Sequence, residues 1–473
     1  MNQQLINDVL QTVNHSVTFQ DGKVSVVDEK VFRANVHRLA EISALAGGEK
    51  AGWARYFVRA AAQEIGVYPA SIHELYMARG KDAIQQPFTV PAMNLRVLAF
   101  DSAKAVFRAA KKINAGTMIF EIARSEMNYT DQRPAEYATS ILAAAVQEGY
   151  KGPVFIQGDH FQVSMKKYAV NPEAEMDALK ALIREAVTAG FLNIDVDTST
   201  MVDLSKTTIA EQQKVNTDLS AKLTAYIRSV EPKSVTISVG GEIGEVGGHN
   251  STEEELCAYL SGFVADLKNI GQDLVGLSKI SIQTGTSHGG VVLPDGSIAQ
   301  VSVDFDTMLN LSRMSRKEFG LGGAVQHGAS TLPENAFGKF VEAEACEIHL
   351  ATNFMNIFFE LIPLDLKKDM YSFLDIHSTA DRKPDMTDEQ FYYKSRKSAV
   401  GPFKKQSWTL PAEEKEKIAR AWEDQFTKLF GLLNLKDTKP LVDRLITHPP
   451  VKPHALDFLG ETVSPEDVKD LAD

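Results

Sequence analysis

The sequence has few cysteines and no long hydrophobic run. Only two cysteines, Cys257 and Cys346, occur among its 473 residues, which excludes a disulfide framework and favours a reducing compartment. No apolar stretch reaches the roughly 18 residues that indicate a membrane span. The first residues also lack the basic segment and apolar core of a signal peptide. We therefore expect a cytoplasmic globular protein that does not bind membranes.

Positive charge is also scarce. The net charge of −12 argues against a general surface for nucleic acid or anionic lipid, although a local basic pocket for a phosphorylated metabolite is compatible with it. No G-x-G-x-x-G motif follows the first predicted strand, which argues against dinucleotide binding. The contents of 44% hydrophobic and 24% charged residues are typical of a globular protein with a large core.

Apolar, β-branched runs alternate with helical patterns through the middle of the chain. The runs lie at residues 88–92, 117–120, 153–156, 192–196, 235–239, 279–282, 323–326 and 346–350. Helical spacing of apolar residues occurs between them, for example at 102–114 and 173–189. Eight such strand–helix units over roughly 270 residues predict an α/β fold, the (β/α)₈ TIM barrel. An open, doubly wound sheet is the alternative.

The two flanks of the barrel have helical patterns. Residues 1–85 are predicted to form a helical N-terminal extension with a turn at Asp21-Gly22, and residues 86–360 the barrel. Residues 361–473 are predicted to form a helical C-terminal tail, whose main helix covers 413–433 after Pro411.

Three histidine motifs each follow a predicted strand. They are Gly158-Asp159-His160, Thr286-Ser287-His288-Gly289 and Gln326-His327-Gly328-Ala329-Ser330. Active sites of TIM barrels lie at the carboxyl ends of the strands, and an open zinc site needs three protein ligands and a vacant position. The pattern therefore indicates a zinc site with an acid or base, Asp159, beside it. A single histidine at a strand end could instead be a hydrogen-bonded structural residue.

Six segments together resemble the class II, zinc-dependent ketose-bisphosphate aldolases, such as fructose-bisphosphate aldolase. The resemblance extends over roughly residues 86–356. The segments occur in the order of that family, at residues 91–94, 158–160, 195–199, 241–248, 285–289 and 327–330.

The resemblance implies reversible aldol cleavage of a ketose bisphosphate of the fructose or tagatose 1,6-bisphosphate type. The products would be dihydroxyacetone phosphate and an aldehyde phosphate. It places one catalytic Zn²⁺ on His160, His288 and His327, where the metal can stabilise an enediolate. Asp159 would move a proton at the bond that breaks or forms. The family also implies a homo-oligomer, a dimer or a tetramer.

Two carboxylates, Asp197 and Glu242, resemble those of a second metal or monovalent-cation position. They could instead orient the histidines through hydrogen bonds. Backbone N–H groups of small residues at a loop that enters a helix suit a phosphate, although such glycines could also be plain turn residues. The predicted substrate and phosphate contacts are Asn94, Gly289, Gly328, Ala329, Ser330, His349, Thr352 and Arg396.

Three segments depart from the family pattern. The acidic loop after Gly248 is short, because residues 251–255 already read as a capped helix start. The base that removes the donor proton is therefore open among Glu242, His249, Glu245 and the N-terminal extension. Gly290-Val291-Val292 stands where a Tyr-Lys pair is usual, and residues 349–353 replace Asn-x-Asp-Thr-Asp. These changes favour an unusual ketose phosphate.

Two other functions are compatible with the motifs. One is a non-catalytic subunit that stabilises a tagatose-bisphosphate aldolase. The other is a metal hydrolase on the same barrel, which would need a bridging carboxylate or a modified lysine. Retention of the three histidines and Asp159 favours the enzyme over the stabilising subunit.

Overall fold

The computed structural model describes residues 2–244, 249–285, 302–329 and 332–460. Strands in this part of the chain are β1 Val17–Gln20, β2 Lys23–Val26, β3 Val67–Ala70, β4 Val90–Asn94, β5 Ile119–Ala123, β6 Gly152–Gln162, β7 Asn193–Asp197, β8 Ser238–Glu242, β9 Lys279–Ile282, β10 Ala324–Gln326 and β11 Glu347–Leu350.

The helices up to the end of the barrel are α1 Gln3–Gln11, α2 Glu29–Leu45, α3 Gly48–Glu64, α4 His73–Gly80, α5 Ala99–Lys112, α6 Arg124–Tyr129, α7 Pro134–Gln147, α8 Met165–Val170, α9 Pro172–Ala189, α10 Ile209–Val230, α11 Glu253–Ile270, α12 Phe305–Phe319, α13 Phe337–Glu342 and α14 Thr352–Leu361. Those that follow are α15 Leu364–His377, α16 Asp388–Ser395, α17 Lys404–Trp408, α18 Ala412–Leu432, α19 Lys439–Leu445 and α20 Leu456–Leu459.

Strands β4 to β11 close into a parallel barrel of eight strands. Each strand pairs with the next along the chain, and β11 pairs back on β4, with Glu347 opposite Val90 and Leu350 opposite Met93. Each of the eight predicted runs overlaps one of these strands. The predicted (β/α)₈ barrel is confirmed, and the open sheet is wrong. All the carboxyl ends of the strands meet at one mouth of the barrel.

The N-terminal extension contains strands that the helical patterns did not indicate. Asp21 and Gly22 form the predicted turn, both with positive φ, between the antiparallel strands β1 and β2. Strand β3 joins the barrel sheet, because it pairs in parallel with the first half of β6, Val67 opposite Gly152. Strand β7 pairs with β6 only from Gln157 onward, so β3 satisfies backbone groups that β7 leaves open.

Helix α7 illustrates how the extension covers the barrel. Residues Tyr137 to Val146 of this helix are all buried, including Ile141 and Leu142 with no exposed area. It contacts α2 and α3 of the extension on one side and α5 on another. A helix that is apolar all round needs such cover on every face.

The C-terminal tail covers the end of the barrel opposite the mouth, and it also packs on the outer helix α5. Helix α18 packs on α5, and the indole Nε1 of Trp422 donates a 2.9 Å hydrogen bond to the Phe354 carbonyl. The hydroxyl of Thr438 accepts from the backbone N–H of Gly116, 3.1 Å away. The N–H of Thr89 donates to the Leu433 carbonyl over 3.2 Å. The tail therefore completes the amino-terminal ends of β4 and β5.

Among the described residues, no helix combines the length and the apolar character that a bilayer span requires.

Replacing Trp422 by alanine tests whether the tail is part of the barrel core. Trp422 is fully buried, so Trp422→Ala should lower the free energy of unfolding by about 3–5 kcal/mol through lost contacts and a cavity. The matched control is Ile376→Ala on α15, because Ile376 is 70% exposed and its loss should cost less than about 0.5 kcal/mol. Urea unfolding followed by circular dichroism measures both. Equal effects would contradict the shared core.

Candidate functional site

A β-bulge in β6 creates the centre of the site. Gly158 pairs with Ile194 and Phe161 with Val196, so two residues of β6, Asp159 and His160, stand opposite one residue of β7. His160 has a φ of +40°, which is uncommon for a residue other than glycine. A Cβ atom on Gly158 would lie 2.5 Å from the Phe161 ring, so only glycine fits there. The bulge brings both functional side chains toward the mouth.

The His160 imidazole lies among carboxylates from neighbouring strands. Its Nδ1 is 2.9 Å from Asp197 Oδ2 and 3.3 Å from Glu242 Oε2, and its Nε2 is 3.8 Å from Asp159 Oδ1. Burial opposes the charged imidazole, but the charges of Asp159 and Glu242 and the bond to Asp197 raise the pKa of His160 well above its ordinary value. Burial, together with the charge of Asp197, raises the pKa of Glu242 to about 8.

Asp197 is held on several sides. Its Oδ1 accepts from the backbone N–H and hydroxyl of Ser199 at 3.0 and 2.7 Å, and its Oδ2 accepts from the Gln162 amide at 2.7 Å. Burial tends to raise the pKa of Asp197, but the hydrogen bond with His160 and these donors lower it. Asp197 therefore fixes the orientation of the His160 ring.

The Asp159 carboxylate is buried at the centre of this group. Its Oδ2 accepts a 2.8 Å hydrogen bond from the Asn94 amide, and its Oδ1 lies 3.2 Å from His349 Nδ1. Asn94 also donates to Glu126 at 3.0 Å. Burial alone would raise the pKa of Asp159, but His160, His349 and His327 together hold it well below its usual range. These imidazoles therefore favour the ionised form of Asp159.

The His327 ring lies between two other imidazoles. Its centroid is 4.3 Å from that of His160 and 4.0 Å from that of His349. Ligand atoms of His160, Glu242 and His327 all lie within 4.8 Å of one another, as do those of Asp159, His327 and His349. Imidazole nitrogens and carboxylate oxygens are the donors that Zn²⁺ and related divalent ions prefer. The donor set at the mouth therefore fits a divalent metal.

The structure brings most of the predicted site residues together, and leaves others apart. It groups Asn94, Asp159, His160, Asp197, Glu242, His327 and His349. Gly328, with a φ of +69°, and the buried Ala329 follow His327, and Thr352 begins α14 beyond β11. His288, Gly289, Ser330 and Glu245 lie outside the described residues.

The contacts of His249 and Arg396 are with other parts of the chain. The His249 side chain is 60% exposed, and its Nε2 lies 2.7 Å from Glu255 at the start of α11. The capped start of that helix, predicted from the short loop, is confirmed, because Thr252 and Glu255 form a capping box. The Arg396 guanidinium donates to Asn356 and lies over the Tyr393 ring at 4.0 Å.

A buried polar layer beneath the mouth was not predicted. It consists of Glu121 on β5, Gln157 on β6, Asp195 on β7, Lys279 on β9 and Glu347 on β11. Polar residues at inward positions of otherwise apolar strands were its only sequence signal, since the partners come from strands far apart in the chain. Burial and the charge of Asp159 raise the pKa of Glu121 to about 8, whereas Lys279 and His349 overcome burial and lower that of Glu347 to about 2.

Comparison with solved structures finds several similar proteins. A fructuronate-tagaturonate epimerase of Cohnella laeviribosi is 12% identical, with a TM-score of 0.54 over 92% of this chain and 100% of that one. A fructose-bisphosphate aldolase of Campylobacter jejuni is 17% identical, with a TM-score of 0.44 over 79% of this chain and 97% of that one. A putative fructose-1,6-bisphosphate aldolase of Coccidioides immitis is 16% identical, with a TM-score of 0.45 over 77% of this chain and 96% of that one. Comparison with curated protein sequences gives no match.

The sequence profile of class II fructose-bisphosphate aldolases matches residues 77–415, which includes the whole barrel and every residue of the site described above. The resemblance inferred from six short segments is thereby confirmed, and the chain belongs to the class II fructose-bisphosphate aldolase family.

Proposed function

We propose that the protein is a metal-dependent aldolase. It would cleave and form a ketose bisphosphate of the fructose or tagatose 1,6-bisphosphate type, with dihydroxyacetone phosphate and an aldehyde phosphate as the products. The observation that carries the proposal is the buried Asp159 carboxylate next to a group of imidazoles and carboxylates at the barrel mouth. Membership of the class II family supports it.

The residues that would hold the metal are His160 and His327, with His288 as the third ligand by resemblance. Glu242 lies close enough to contribute an oxygen, since its ligand atom is within 4.8 Å of those of both described histidines. Zn²⁺, when bound, supplies a Lewis acid that polarises the substrate carbonyl. Asp197 would orient His160 through Nδ1, which leaves Nε2 for the metal.

Asp159 would act as the base in cleavage. It takes the proton from the hydroxyl on C4 while the C3–C4 bond breaks, so that the C4 oxygen becomes the aldehyde and the bonding electrons pass to C3. The group that exchanges the donor proton, left open above among Glu242, His249, Glu245 and the N-terminal extension, would then protonate C3 and yield dihydroxyacetone phosphate. Return of the Asp159 proton to that group through solvent completes the cycle. Aldol formation reverses these steps.

The loop after β10 is the proposed phosphate contact. Gly328 adopts positive φ directly after His327, and Ala329 is fully buried, so the backbone turns sharply with little side-chain bulk. Phosphate sites of TIM barrels often lie after the seventh and eighth strands, which here are β10 and β11.

Product analysis with and without a chelator tests the reaction. The metal-replete protein should release dihydroxyacetone phosphate from fructose or tagatose 1,6-bisphosphate, and removal of the metal should abolish the release because the carbonyl is no longer polarised. Coupled reduction of dihydroxyacetone phosphate measures it. An epimerase would convert the ketose without splitting it, and a stabilising subunit would do neither. Lack of cleavage of every ketose phosphate by metal-replete protein would refute the proposal.

Two substitutions separate metal binding from proton transfer. His160→Ala should lose both zinc and turnover, whereas Asp159→Ala should keep zinc and lose about 10²- to 10⁴-fold in kcat. Metal analysis of the purified variants and the same coupled assay measure these effects. Exposed residues provide controls: His454→Ala should keep the zinc content, and Asp177→Ala should keep kcat. Normal turnover in either site variant would contradict the assigned roles.

A further inference from the structure

We propose that His349 is a positioning residue that fixes the Asp159 carboxylate, and that the buried polar layer fixes His349. The layer is the set Glu121, Gln157, Asp195, Lys279 and Glu347. The inference rests on the proposed function, in which Asp159 moves the proton.

The polar layer is unusual for a barrel interior. Such interiors are normally filled by branched apolar side chains. Glu121, Gln157, Lys279 and Glu347 are at most 5% exposed, and Asp195 is 9% exposed. Apolar residues of similar volume would stabilise the fold at least as well as these buried ion pairs. The stability of the barrel therefore does not account for the presence of the layer. Because the layer lies directly below the mouth, we infer that it serves the site above it.

Lys279 joins the members of the layer. Its ammonium lies 2.9 Å from Asp195 Oδ1 and 2.9 Å from Gln157 Oε1, and it also donates to Glu347. The hydroxyl of Tyr76 donates to the other oxygen of Glu347. A Cβ atom on Gly240 of β8 would come within 2.8 Å of the Lys279 side chain, so glycine makes room for it. Glu347 is thus held on both of its oxygens.

His349 connects this layer to the site above it. Residues two apart on a strand face the same side, so His349 follows Glu347 toward the mouth. Its Nε2 is 2.8 Å from Glu347 Oε1, and its Nδ1 is 3.2 Å from Asp159 Oδ1 and 3.0 Å from Glu121 Oε1. Asn94 holds the opposite oxygen of Asp159. One oxygen of Asp159 thus accepts a hydrogen bond from Asn94, and the other lies at ion-pair distance from His349.

The ring of His349 is poorly placed for a direct role. Both of its nitrogens face carboxylates. It stacks on His327 at 4.0 Å with 28° between the planes. A metal must lie close to the plane of each imidazole that binds it, and the planes of two stacked rings meet only far from the rings. Although a ligand atom of His349 lies within 4.8 Å of those of Asp159 and His327, we therefore assign His349 a role that acts through Asp159.

Kinetics of His349→Asn test the positioning role. We expect kcat to fall about 100-fold, because small displacements of a reacting group have effects of this size. KM should change by less than about threefold and the zinc content should stay the same. Because loss of the imidazole leaves Glu121 facing other carboxylates, the double variant Glu121→Gln/His349→Asn is a second test that avoids the added repulsion. An unchanged kcat in both variants would refute the inference, as would loss of zinc from the double variant.

A partly buried histidine elsewhere in the barrel gives the control. His73 lies at the other end of the barrel, where its Nδ1 is 2.7 Å from the Ser278 hydroxyl. His73→Asn should affect thermal stability and leave kcat unchanged. A fall in kcat equal to that of His349→Asn would show that any lost barrel histidine slows the reaction, and would refute a specific role.

Crystal structures of the wild type and His349→Asn read the orientation of Asp159 without any assay. The carboxylate should turn away from Asn94 or occupy two conformers in the variant. An unchanged carboxylate would refute the positioning role even in an active aldolase. A carboxylate that moves in a protein without ketose-phosphate cleavage would refute the proposed reaction and leave the positioning role intact.

Discussion

The extra residue in β6 is the constraint on which the site depends. In a regular strand, neighbouring side chains point to opposite faces, so Asp159 and His160 could not both face the mouth. The bulge removes this restriction, and pairing resumes at Phe161 opposite Val196, so the rest of the barrel keeps its register. Gly158 permits it, since the Phe161 ring occupies the space of a Cβ atom. One local irregularity thus places an acid–base group directly beside a metal ligand.

The charges of the carboxylates around His160 and His349 connect the barrel mouth with the polar layer in the barrel interior. The carboxylates around His160 and His349 favour positively charged imidazoles. A metal ligand must be a neutral imidazole, so metal and proton compete for His160 and uptake of one releases the other. No such competition applies to His349 in our proposal, because it is not a metal ligand. It faces Glu347, which is paired with the Lys279 ammonium inside the barrel. The same residue type therefore serves two purposes on two strands of the barrel, β6 and β11.

Much of the fold and the centre of the site could be predicted from sequence. Apolar alternation fixes the eight strands, and parallel pairing collects their carboxyl ends, so the strand ends that carry Asp159-His160 and His327 had to lie at one mouth. The bulge could not be predicted, because it depends on the pairing of β6 with β7. The polar layer could not be predicted for a similar reason, because the ion pair of Lys279 with Asp195 joins strands that are distant in sequence. Strand β3 is short and contains a proline, which weakens its pattern.

The contacts of the tail with β4 and β5 also constrain the order of synthesis. The Gly116 and Thr89 backbone groups at the amino-terminal ends of these strands are completed by Thr438 and Leu433, more than 300 residues later in the chain. The ribosome must therefore have made the chain as far as Thr438 before the barrel can acquire its final closure. Until then the amino-terminal ends of β4 and β5 lack these partners, and contacts of such sequence separation form slowly. Synthesis of more than 300 residues separates the two halves of each contact, which leaves a long interval in which chaperones can act.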